Sequence, residues 1–479
     1  MNTESPVGSV FDPSPAELRR QLGTGPVHFM GVGGAGMSAL AEVVARAGST
    51  VTGCDLHPDP VTSGRLEIAG VPVAAGHEPE HVERSQLVVA SAAVREDHPE
   101  LERARRLGVP VVSRAQALAA WISKGRVLAV AGTHGKTTTT ALATEILREA
   151  GLQPTGFVGG RVASWGSNLH AGGEDLFVVE ADEYARSFLK LDPQVAVVTN
   201  VEADHLDVYG DLAALREAFQ RFLGRVAPDG QVVVCFDDPG ARELASDMGR
   251  EAYGYGLGPE ARLRGTDVEL GPSESRFTVM EDGEARGRFR LPLPGAHNVR
   301  NALGAAAAAR FLGAEWEAVE RALDGFQGVG RRFEALGAQG GIDVVDDYAH
   351  HPTEVTAALQ AARSRVGDDG RLVAVFQPHL YSRTRDFQRA FGEALAAADV
   401  VWVCDVYPAR EAPIPGISGE VVARAARDAG ASAVHYHADL ESLAEAVAGE
   451  LRAGDLCITM GAGSIEKLGP RILQEVSRE

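Results

Sequence analysis

The sequence predicts an α/β protein of three domains. The chain has 479 residues, and domains of roughly 100–200 residues would divide it into two to four units. Short apolar runs alternate with helical patterns, which is typical of parallel sheets covered by helices. This alternation starts afresh at two positions, so we expect domains at residues 1–125, 126–328 and 329–479.

The first domain shows a repeated strand–helix pattern between residues 27 and 121. Four apolar segments are predicted to be strands, namely VHFMGV, STVTGC, LVVAS and VPVVS. Two segments with helical periodicity are predicted to be helices, namely SALAEVVARAG and RAQALAAWI. Strands that alternate with helices in this way indicate a parallel sheet.

The central domain begins with the strand RVLAVAG, which runs into the glycine turn and helix THGKTTTTALATEILREAG. Further strands are predicted at LFVVEA, VAVVTN and QVVVCF. Residues 250–292 alternate polar and apolar side chains with glycine punctuation, which predicts an antiparallel β region. Two helices, HNVRNALGAAAAARFLG and AEWEAVERALDGF, should close this domain.

The third domain is predicted to hold five strands that alternate with five helices. The strands are IDVVDDY, RLVAVFQ, DVVWVCDV, SAVHYH and DLCITMG. This pattern predicts another α/β sheet. We expect linkers around residues 122–126 and 326–330.

Composition and charge exclude several classes of protein. The hydrophobic fraction of 45% is that of a globular protein, and the net charge of −20 disfavours bulk nucleic-acid binding. No apolar run approaches the roughly 18 residues of a membrane-spanning helix. The N-terminal segment MNTESPVGSVFDPSPAEL has no basic or apolar region of a signal peptide. We therefore expect a cytoplasmic protein without nucleic-acid or membrane partners. We also expect a monomer or a homodimer, between which the sequence does not decide.

The four cysteines are far apart in the sequence and form no CxxC pair. Each lies in an apolar stretch that is predicted to be a strand or its end: Cys54, Cys235, Cys404 and Cys457. This spacing favours buried reduced thiols over a zinc site or a disulfide framework.

The strongest local motif follows the first strand of the central domain and precedes a helix, as in phosphate-binding loops. Glycines let backbone N–H groups approach a phosphate, while a lysine, a helix N-terminus and a hydroxyl for Mg²⁺ complete such a site. The motif has two residues between its glycines, whereas a standard phosphate-binding loop has four. Val130 occupies the position of the first glycine in the standard loop. Its residues are Gly132, Thr133, His134, Gly135, Lys136, Thr137 and Thr138.

A second glycine motif follows the first strand of the first domain. It fits G-x-G-x-x-G with Gly31, Gly33, Gly34 and Gly36, and Asp55 ends the next strand, where a ribose-binding carboxylate is expected. On its own the motif would suggest NAD, or a tight turn that binds no ligand. We favour a second nucleotide, not restricted to NAD.

Acidic and histidine side chains follow two strands of the central domain. Glu180 lies in EADE after LFVVE, and His205 lies in NVEADH after VAVVT. Ligands of open α/β sheets bind at these carboxyl ends, and carboxylates beside phosphates are natural Mg²⁺ ligands. A solvated acidic loop is the alternative.

The third domain carries two polar motifs at strand ends. The first is DDYAHHP with Tyr348, His350 and His351, and the second is QPHLYSRTRDF with Arg383 and Arg385. Arginines suit a carboxylate or phosphate, which favours substrate binding. Loop capping and a zinc site at the adjacent histidines remain alternatives.

Together these motifs resemble the Mur ligase family of ATP-dependent peptide synthetases, over nearly the whole chain. The segments that carry the resemblance are GVGGAGMS, AGTHGKTTTT, EADEYARSF, TNVEADHLDVYGD, LPGAHNVRNALGA, GRRFE, DDYAHHPTE and QPH…RTRDF. Of these segments, GVGGAGMS and DDYAHHPTE favour the family member that uses UDP-N-acetylmuramate, L-alanine and ATP, with Mg²⁺. The resemblance implies a Rossmann-like UDP-binding domain, a P-loop ATPase-like central domain and a Rossmann-like amino-acid-binding domain.

The resemblance also implies a role for each matching position. The ATP-binding residues would be Gly132, Thr133, His134, Gly135, Lys136, Thr137, Thr138, Asn298 and Arg332. The UDP-sugar-binding residues would be Gly31, Gly33, Gly34, Gly36, Ser38 and Asp55. The catalytic residues would be Lys136, Glu180, His205 and His350. Thr137 and Glu180 would bind one Mg²⁺ and His205 a second. Tyr348, His350 and Arg383 would position the amino acid.

The chain departs from the family pattern at two positions. Several relatives carry a carbamylated lysine, and its equivalent is placed here at Gln220, which predicts that no carbamate forms. Leu380 stands where the family pattern has arginine, so one charged substrate contact is in doubt.

Three alternative functions remain open at this point. One is a recycling ligase of the same family that joins a murein tripeptide to UDP-N-acetylmuramate. Another is an NAD-dependent dehydrogenase using the first glycine motif, although this leaves Lys136 and Thr137 unexplained. The third is a P-loop regulatory or binding protein without ligase activity.

Overall fold

A computed structural model of the chain describes residues 14–367, 369–409 and 411–478. Residues 1–13, part of the N-terminal segment that is predicted not to be a signal peptide, lie outside the described residues. The described part of the chain contains no helix with the length and apolar character needed to cross a bilayer. Its strands form three separate sheets, as the predicted α/β class requires.

The first sheet has five parallel strands in the order β3-β2-β1-β4-β5. The strands are β1 (Val27–Met30), β2 (Val51–Asp55), β3 (Val73–Ala75), β4 (Leu87–Ala90) and β5 (Val111–Ser113). The helices are α1 (Pro15–Thr24), α2 (Ala35–Arg46), α3 (Pro60–Ile68), α4 (Pro99–Arg106) and α5 (Arg114–Ile122). A 3-10 helix spans Pro79–Val82. The four predicted strands and both predicted helices are present.

The central sheet has ten strands in the order β15-β14-β13-β12-β11-β10-β6-β9-β7-β8. The strands are β6 (Arg126–Ala131), β7 (Thr155–Val162), β8 (Ser167–His170), β9 (Leu176–Glu180), β10 (Val195–Val198), β11 (Gln231–Cys235), β12 (Tyr253–Gly256), β13 (Leu263–Leu270), β14 (Ser275–Glu281) and β15 (Glu284–Leu291). The helices are α6 (Lys136–Glu149), α7 (Leu206–Tyr209), α8 (Leu212–Leu223), α9 (Pro239–Ser246), α10 (Ala296–Phe311) and α11 (Trp316–Asp324). Two 3-10 helices span Ala163–Trp165 and Tyr184–Lys190.

The prediction of an antiparallel region at residues 250–292 is wrong for its first part. β12 runs parallel to β11, with α9 as the crossover, and β13 runs parallel to β12. Only β13, β14 and β15 pair antiparallel. The YGYG segment looks half-polar in sequence, but all four of its residues are buried inside the sheet.

The third sheet has six strands in the order β16-β17-β21-β18-β19-β20, and only β16 runs antiparallel. The strands are β16 (Glu334–Gln339), β17 (Ile342–Asp347), β18 (Leu372–Phe376), β19 (Val400–Val403), β20 (Ala433–Tyr436) and β21 (Leu456–Met460). The helices are α12 (Pro352–Arg363), α13 (Tyr381–Leu395), α14 (Gly419–Asp428), α15 (Leu440–Ala448) and α16 (Leu468–Val476), with a 3-10 helix at Ser464–Lys467.

The cores explain why the elements form where the apolar runs lie. The central strands β6, β9 and β10 are buried along almost their whole length, which a parallel sheet covered on both faces requires. All four cysteines are buried and none is disulfide-bonded, as predicted. The carboxyl ends of β6, β9 and β10 meet at one edge of the sheet, and the motifs of the central domain lie there.

Candidate active site

The phosphate loop (residues 132–138) joins the end of β6 to the start of α6. Gly132 has a φ of 134° and Gly135 a φ of 81°, values that side chains rarely adopt. A Cβ at Gly132 would overlap Thr199 Oγ1, and a Cβ at Gly135 would lie 2.5 Å from Asn301 Oδ1. Both glycines are therefore required, and they aim the N-terminus of α6 at the space beyond the loop.

Two amides of the phosphate loop already have partners. The Thr133 N–H donates to Asn200 O at 3.1 Å, and the His134 N–H donates to Asn200 Oδ1 at 2.7 Å. The first N–H groups of a helix have no intrahelical acceptor. The groups suited to an anion are therefore those at the start of α6, which begins at Lys136.

The Lys136 ammonium is held inside the loop by an acidic partner. Its Nζ lies 2.8 Å from Glu183 Oε2 and donates to Gly132 O at 2.6 Å. Burial acts to lower the pKa of Lys136, but the negative charges of Glu183, Asp182 and Glu180 outweigh it and raise that pKa. Lys136 is therefore a fixed positive charge. Glu183 lies in the EADE motif, but no local pattern predicts its contact with Lys136.

Glu180 connects the phosphate loop to the neighbouring strand β7. Its Oε1 accepts from Thr137 Oγ1 at 3.0 Å, and its Oε2 accepts from the Gly159 N–H at 2.7 Å. Arg332, from the third domain, donates to the same Thr137 Oγ1 at 3.2 Å. Three residues that the sequence singled out in separate motifs thus meet at one hydroxyl.

His205 lies in a different group of potential ligands from Thr137 and Glu180. Its Nε2 is 3.6 Å from Glu183 Oε1, and the ligand atoms of His205, Asp182 and Glu183 lie within 4.8 Å of one another. His205 has a φ of 52°, a strained backbone conformation that places the ring at the start of α7.

A cavity of about 230 Å³ lies beside the phosphate loop, between the central and third domains. Gly135, Thr138, Asn298 and Arg332 are among its lining residues. Asn298 is buried, and its Nδ2 donates to Pro294 O at 2.8 Å. Its Oδ1 accepts from Asn301 Nδ2 at 3.3 Å, so the predicted adenine contact lies at the cavity wall with two side-chain hydrogen bonds already made.

His134 turns its side chain toward the third domain. Its Nδ1 lies 3.2 Å from Glu354 Oε1, and its Nε2 lies 3.1 Å from His351 Nδ1. Burial opposes the charged ring, but Glu354 and Glu202 raise the pKa of His134 to about 9. The ring is therefore a cation at neutral pH that ties the loop to α12.

The glycine loop (residues 31–38) is closed by the strand next to it. The Gly33 N–H donates to Asp55 Oδ2 at 2.9 Å, so the predicted ribose ligand is bound to the loop itself. A cavity of about 190 Å³ lies above the loop, between the first and central domains. Gly33 and Ser38 line it, together with Arg65, Arg161 and Asn168, which the sequence analysis missed.

Arg65 holds the first and central domains together. It donates to Asn168 Oδ1 at 3.0 Å and to Ser38 Oγ at 3.2 Å. Arg114 packs against the glycine loop from α5, since a Cβ at Gly36 would lie 2.8 Å from its Nη1. Each arginine contacts residues far away in sequence, so no local motif could reveal it.

The third-domain residues form a buried polar group. His350 Nδ1 lies 2.9 Å from Tyr348 O, and burial lowers the His350 pKa to about 3. Arg383 Nη2 donates to Asp204 Oδ1 at 2.5 Å across the domain boundary, and both side chains are 5% exposed. The adjacent histidines diverge, because His351 lies beside His134 and Glu202 while His350 lies outside that group.

Comparison with known proteins identifies the family of this chain. Residues 26–126 match the model of the Mur ligase family catalytic domain, residues 130–309 the Mur ligase middle domain, and residues 331–463 the Mur ligase glutamate ligase domain. The chain belongs to the Mur ligase family. The first and third matched segments contain the first and third sheets, and the middle segment contains the central sheet apart from residues 126–129 of β6.

Individual Mur ligases resemble the chain over almost its full length. The UDP-N-acetylmuramate–L-alanine ligases of Rubrobacter xylanophilus and Streptomyces coelicolor are 47% and 45% identical. The alignments cover 93% and 94% of this chain and 99% and 97% of theirs. The crystal structure of UDP-N-acetylmuramate-alanine ligase from Thermotoga maritima is 30% identical, with a TM-score of 0.80 over 95% of this chain and 99% of that one.

The position expected to correspond to the carbamylated lysine of other Mur ligases is not part of the site. Gln220 is exposed on α8, whereas its neighbours Phe219 and Phe222 are buried and pack against Phe188. Gln220 therefore lies outside the group formed by Asp182, Glu183 and His205. Leu380, the other departure, is the N-cap of α13 and lines a cavity of about 210 Å³ with Arg383 and Arg385.

We expect added bicarbonate to leave the turnover rate unchanged. The chain has four lysines, at positions 124, 136, 190 and 467, and Lys136 is fixed as a cation by Glu183. Carbamylation needs a neutral amine, and the acidic neighbours keep this one protonated in spite of its burial. Rates in carbon-dioxide-depleted buffer should match those with bicarbonate, with chloride at equal ionic strength as control. A rate that rises with bicarbonate contradicts this expectation.

Proposed function

We propose that this chain is an ATP-dependent ligase that joins L-alanine to the carboxylate of UDP-N-acetylmuramate. The products are UDP-N-acetylmuramoyl-L-alanine, ADP and phosphate, and the reaction supplies a peptidoglycan precursor. One observation carries the proposal. Glu180 contacts both Thr137 of the phosphate loop and Gly159, which lines the cavity above the glycine loop. The phosphate end of one nucleotide site therefore adjoins the other nucleotide site.

The relatives support L-alanine as the amino acid over a tripeptide. The relatives named UDP-N-acetylmuramate–L-alanine ligase are 43–47% identical. The murein peptide ligase from Psychrobacter arcticus is 26% identical, with a TM-score of 0.70 over 95% of this chain and 99% of that one. The recycling reaction is the second candidate, and the choice of acceptor in an assay separates the two.

In this proposal ATP occupies the cavity between the central and third domains. The start of α6 and Lys136 would face its phosphates, because a helix N-terminus and an ammonium both attract anions. Asn298 and Arg332 line the same cavity and would contact the base and the phosphate end. The sugar nucleotide would occupy the cavity above the glycine loop, where Arg65 and Arg161 add positive charge.

The donor atoms fit Mg²⁺ at two places. Mg²⁺ prefers oxygen ligands and keeps several waters. Thr137 and Glu180 supply a hydroxyl and a carboxylate in contact with each other, and His205 stands beside the carboxylates of Asp182 and Glu183. When bound, Mg²⁺ would neutralise charge on the transferring phosphoryl group.

The reaction would proceed in two steps. The muramyl carboxylate attacks the γ-phosphate, and ADP leaves as the acyl phosphate forms. The neutral amine of alanine then attacks the acyl carbon, and phosphate and a proton leave as the amide forms. Lys136 stabilises charge on the phosphoryl oxygens, and phosphoryl transfer depends mainly on such positioning and charge neutralisation.

His350 is suited to orienting the incoming amine. Its Nδ1–H donates to Tyr348 O, so Nε2 is the acceptor nitrogen of the neutral ring. Burial and the nearby Arg383 lower the His350 pKa to about 3, which makes the ring too weakly basic to take a proton from an ammonium. We therefore assign His350 a hydrogen-bond role, with Tyr348 and Arg383 completing the amino-acid site.

The proposal is tested by measuring phosphate release. With ATP and Mg²⁺ present, release should require both UDP-N-acetylmuramate and L-alanine. Omitting either substrate, or replacing the sugar nucleotide with NAD, should leave only background. Release that depends on a murein tripeptide in place of L-alanine would favour the recycling reaction, and release that depends on neither would reject ligase activity.

His205→Ala should raise the Mg²⁺ concentration needed for half-maximal rate by roughly 10-fold or more. The reason is that one nitrogen ligand beside Asp182 and Glu183 is lost. A titration of rate against Mg²⁺ measures this, and His437→Ala in the third domain is the matched control. An unchanged Mg²⁺ dependence would show that His205 does not bind the metal.

A further inference from the structure

A further group of potential metal ligands lies in the first domain, away from the phosphate loop. It consists of His28 on β1, Cys54 on β2, His81 in the 3-10 helix and Glu100 on α4. One ligand atom from each lies within 4.8 Å of all the others. The proposed ligase function uses none of these side chains.

The distances between these atoms are those of a compact site. His28 Nε2 lies 3.2 Å from Cys54 Sγ and 2.9 Å from Glu100 Oε1. Cys54 Sγ lies 3.4 Å from Glu100 Oε1, and His81 Nδ1 lies 3.7 Å from the same oxygen. Tetrahedral zinc with bonds of roughly 2.0–2.3 Å separates its ligand atoms by about 3.3–3.6 Å. Small shifts of these side chains would meet that geometry.

The charge balance of the group calls for a cation. The side chain of Glu100 is completely buried, and the His28 and Cys54 side chains are buried with it. Among the described residues, only histidines form ion pairs with Glu100, and no lysine or arginine does. A buried carboxylate is costly unless it is paired with a cation or binds a metal.

Neighbouring polar atoms hold the donor atoms in place. The other ring nitrogen of His28, Nδ1, lies 2.8 Å from Thr52 Oγ1, which fixes the ring orientation. His77 Nδ1 lies 3.0 Å from Cys54 Sγ. Metal-binding histidines commonly make a second hydrogen bond through the other ring nitrogen, as His28 does with Thr52. A competing contact is the Glu78 N–H, which donates to His81 Nδ1 at 3.3 Å.

We propose that His28, Cys54, His81 and Glu100 bind a structural zinc ion. Thiolate and imidazole ligands favour zinc over Mg²⁺ or Ca²⁺, which prefer oxygen. Four protein ligands leave no open coordination position, so the site is structural and not catalytic. Sequence spacing hid it, because the ligands come from four separate elements and no two of them form a CxxC or HxxxH pair.

Such an ion would stabilise the glycine loop from behind. The Cys54 carbonyl accepts from the Gly31 N–H at 2.8 Å and from the Val32 N–H at 3.0 Å, so the thiol ligand and the loop share one residue. The ion would also join β1 and β2 to α4. Its removal should therefore lower the thermal stability of the first domain, whether or not the chain is a ligase.

The test is metal binding by the full-length protein. After removal of bound metal with a chelator, the chain should take up about one Zn²⁺. Co²⁺ in its place should give the near-ultraviolet absorption of a cobalt–thiolate bond. Cys54→Ser should abolish that absorption, and His28→Gln should weaken zinc affinity by roughly 10-fold or more.

Cys457→Ser is the matched control, since it removes another fully buried strand thiol. This variant should keep both the cobalt–thiolate absorption and the zinc affinity. The proposal is overturned if the unmodified protein binds no zinc, or if Cys54→Ser and Cys457→Ser bind it equally well. If Cys54→Ser fails to fold, His28→Gln and the cobalt spectrum of the unmodified protein still decide the question.

Discussion

Lys136→Ala is expected to lower kcat by on the order of 10²-fold or more while the protein stays folded. The Lys136 ammonium is the fixed positive charge of the phosphate loop, held by Glu183 and by the carbonyls of Gly132 and Thr133. In the proposed mechanism, its loss would remove charge stabilisation from the phosphoryl transfer. Steady-state phosphate release with saturating substrates measures the effect, and circular dichroism checks the fold.

Two further variants make the Lys136 result interpretable. Lys136→Gln keeps a donor for the loop carbonyls but removes the charge, so it should lose as much activity and disturb the fold less. Lys124→Ala removes a different ion-paired lysine, bound to Glu174, and should keep the unmodified rate. An unmodified kcat in a natively folded Lys136→Ala protein would refute the assignment.

Asp204→Asn is expected to reduce the free energy of unfolding by about 3–5 kcal/mol. The substitution leaves the Arg383 guanidinium buried without its charged partner, across the boundary of the central and third domains. Arg383 and the nearby histidines hold the Asp204 pKa well below 3.8, against the opposing effect of burial. This stability is therefore present above about pH 3.8 and is lost as the pH falls toward the folded-state pKa.

A double-mutant cycle separates the Asp204–Arg383 pair from other effects. Asp204→Asn combined with Arg383→Gln should cost less than the sum of the two single substitutions, because neither variant side chain leaves an unpaired charge. Glu393→Gln breaks the exposed Arg389–Glu393 pair on the same helix and should cost at most about 0.5 kcal/mol. Additive effects in denaturant unfolding would contradict a strong pair.

Much of the fold could be predicted because buried parallel strands are continuous apolar runs. RVLAVA, LFVVE and VAVV are such runs, and each is a strand. β7 could not be predicted, because its sequence, TGFVGGRV, contains three glycines and because the residues just before its last one are partly exposed. β16 was missed because its EALGAQ side chains are mostly exposed and follow no apolar pattern.

The site could be predicted where a motif lies on consecutive residues and not where contacts cross domains. The phosphate loop is local, so its glycines and Lys136 could be predicted from their position between a strand and a helix. Glu183 is 47 residues from Lys136, and Asp204 is 179 residues from Arg383. Such pairs depend on how the sheets and domains pack, which sequence periodicity does not specify.

The two hydrogen bonds of Glu180 have a thermodynamic consequence. One carboxylate contacts the phosphate loop through Thr137 and the cavity above the glycine loop through Gly159. A cation that draws the Glu180 carboxylate toward the phosphate loop would change the strength of its hydrogen bond to Gly159 in the cavity wall. Coupling free energy is reciprocal. If the metal-bound nucleotide changes the affinity for the sugar nucleotide, the sugar nucleotide must change the affinity for the metal-bound nucleotide by the same factor. The two ligands are thus expected to report on each other's binding even before any bond is made.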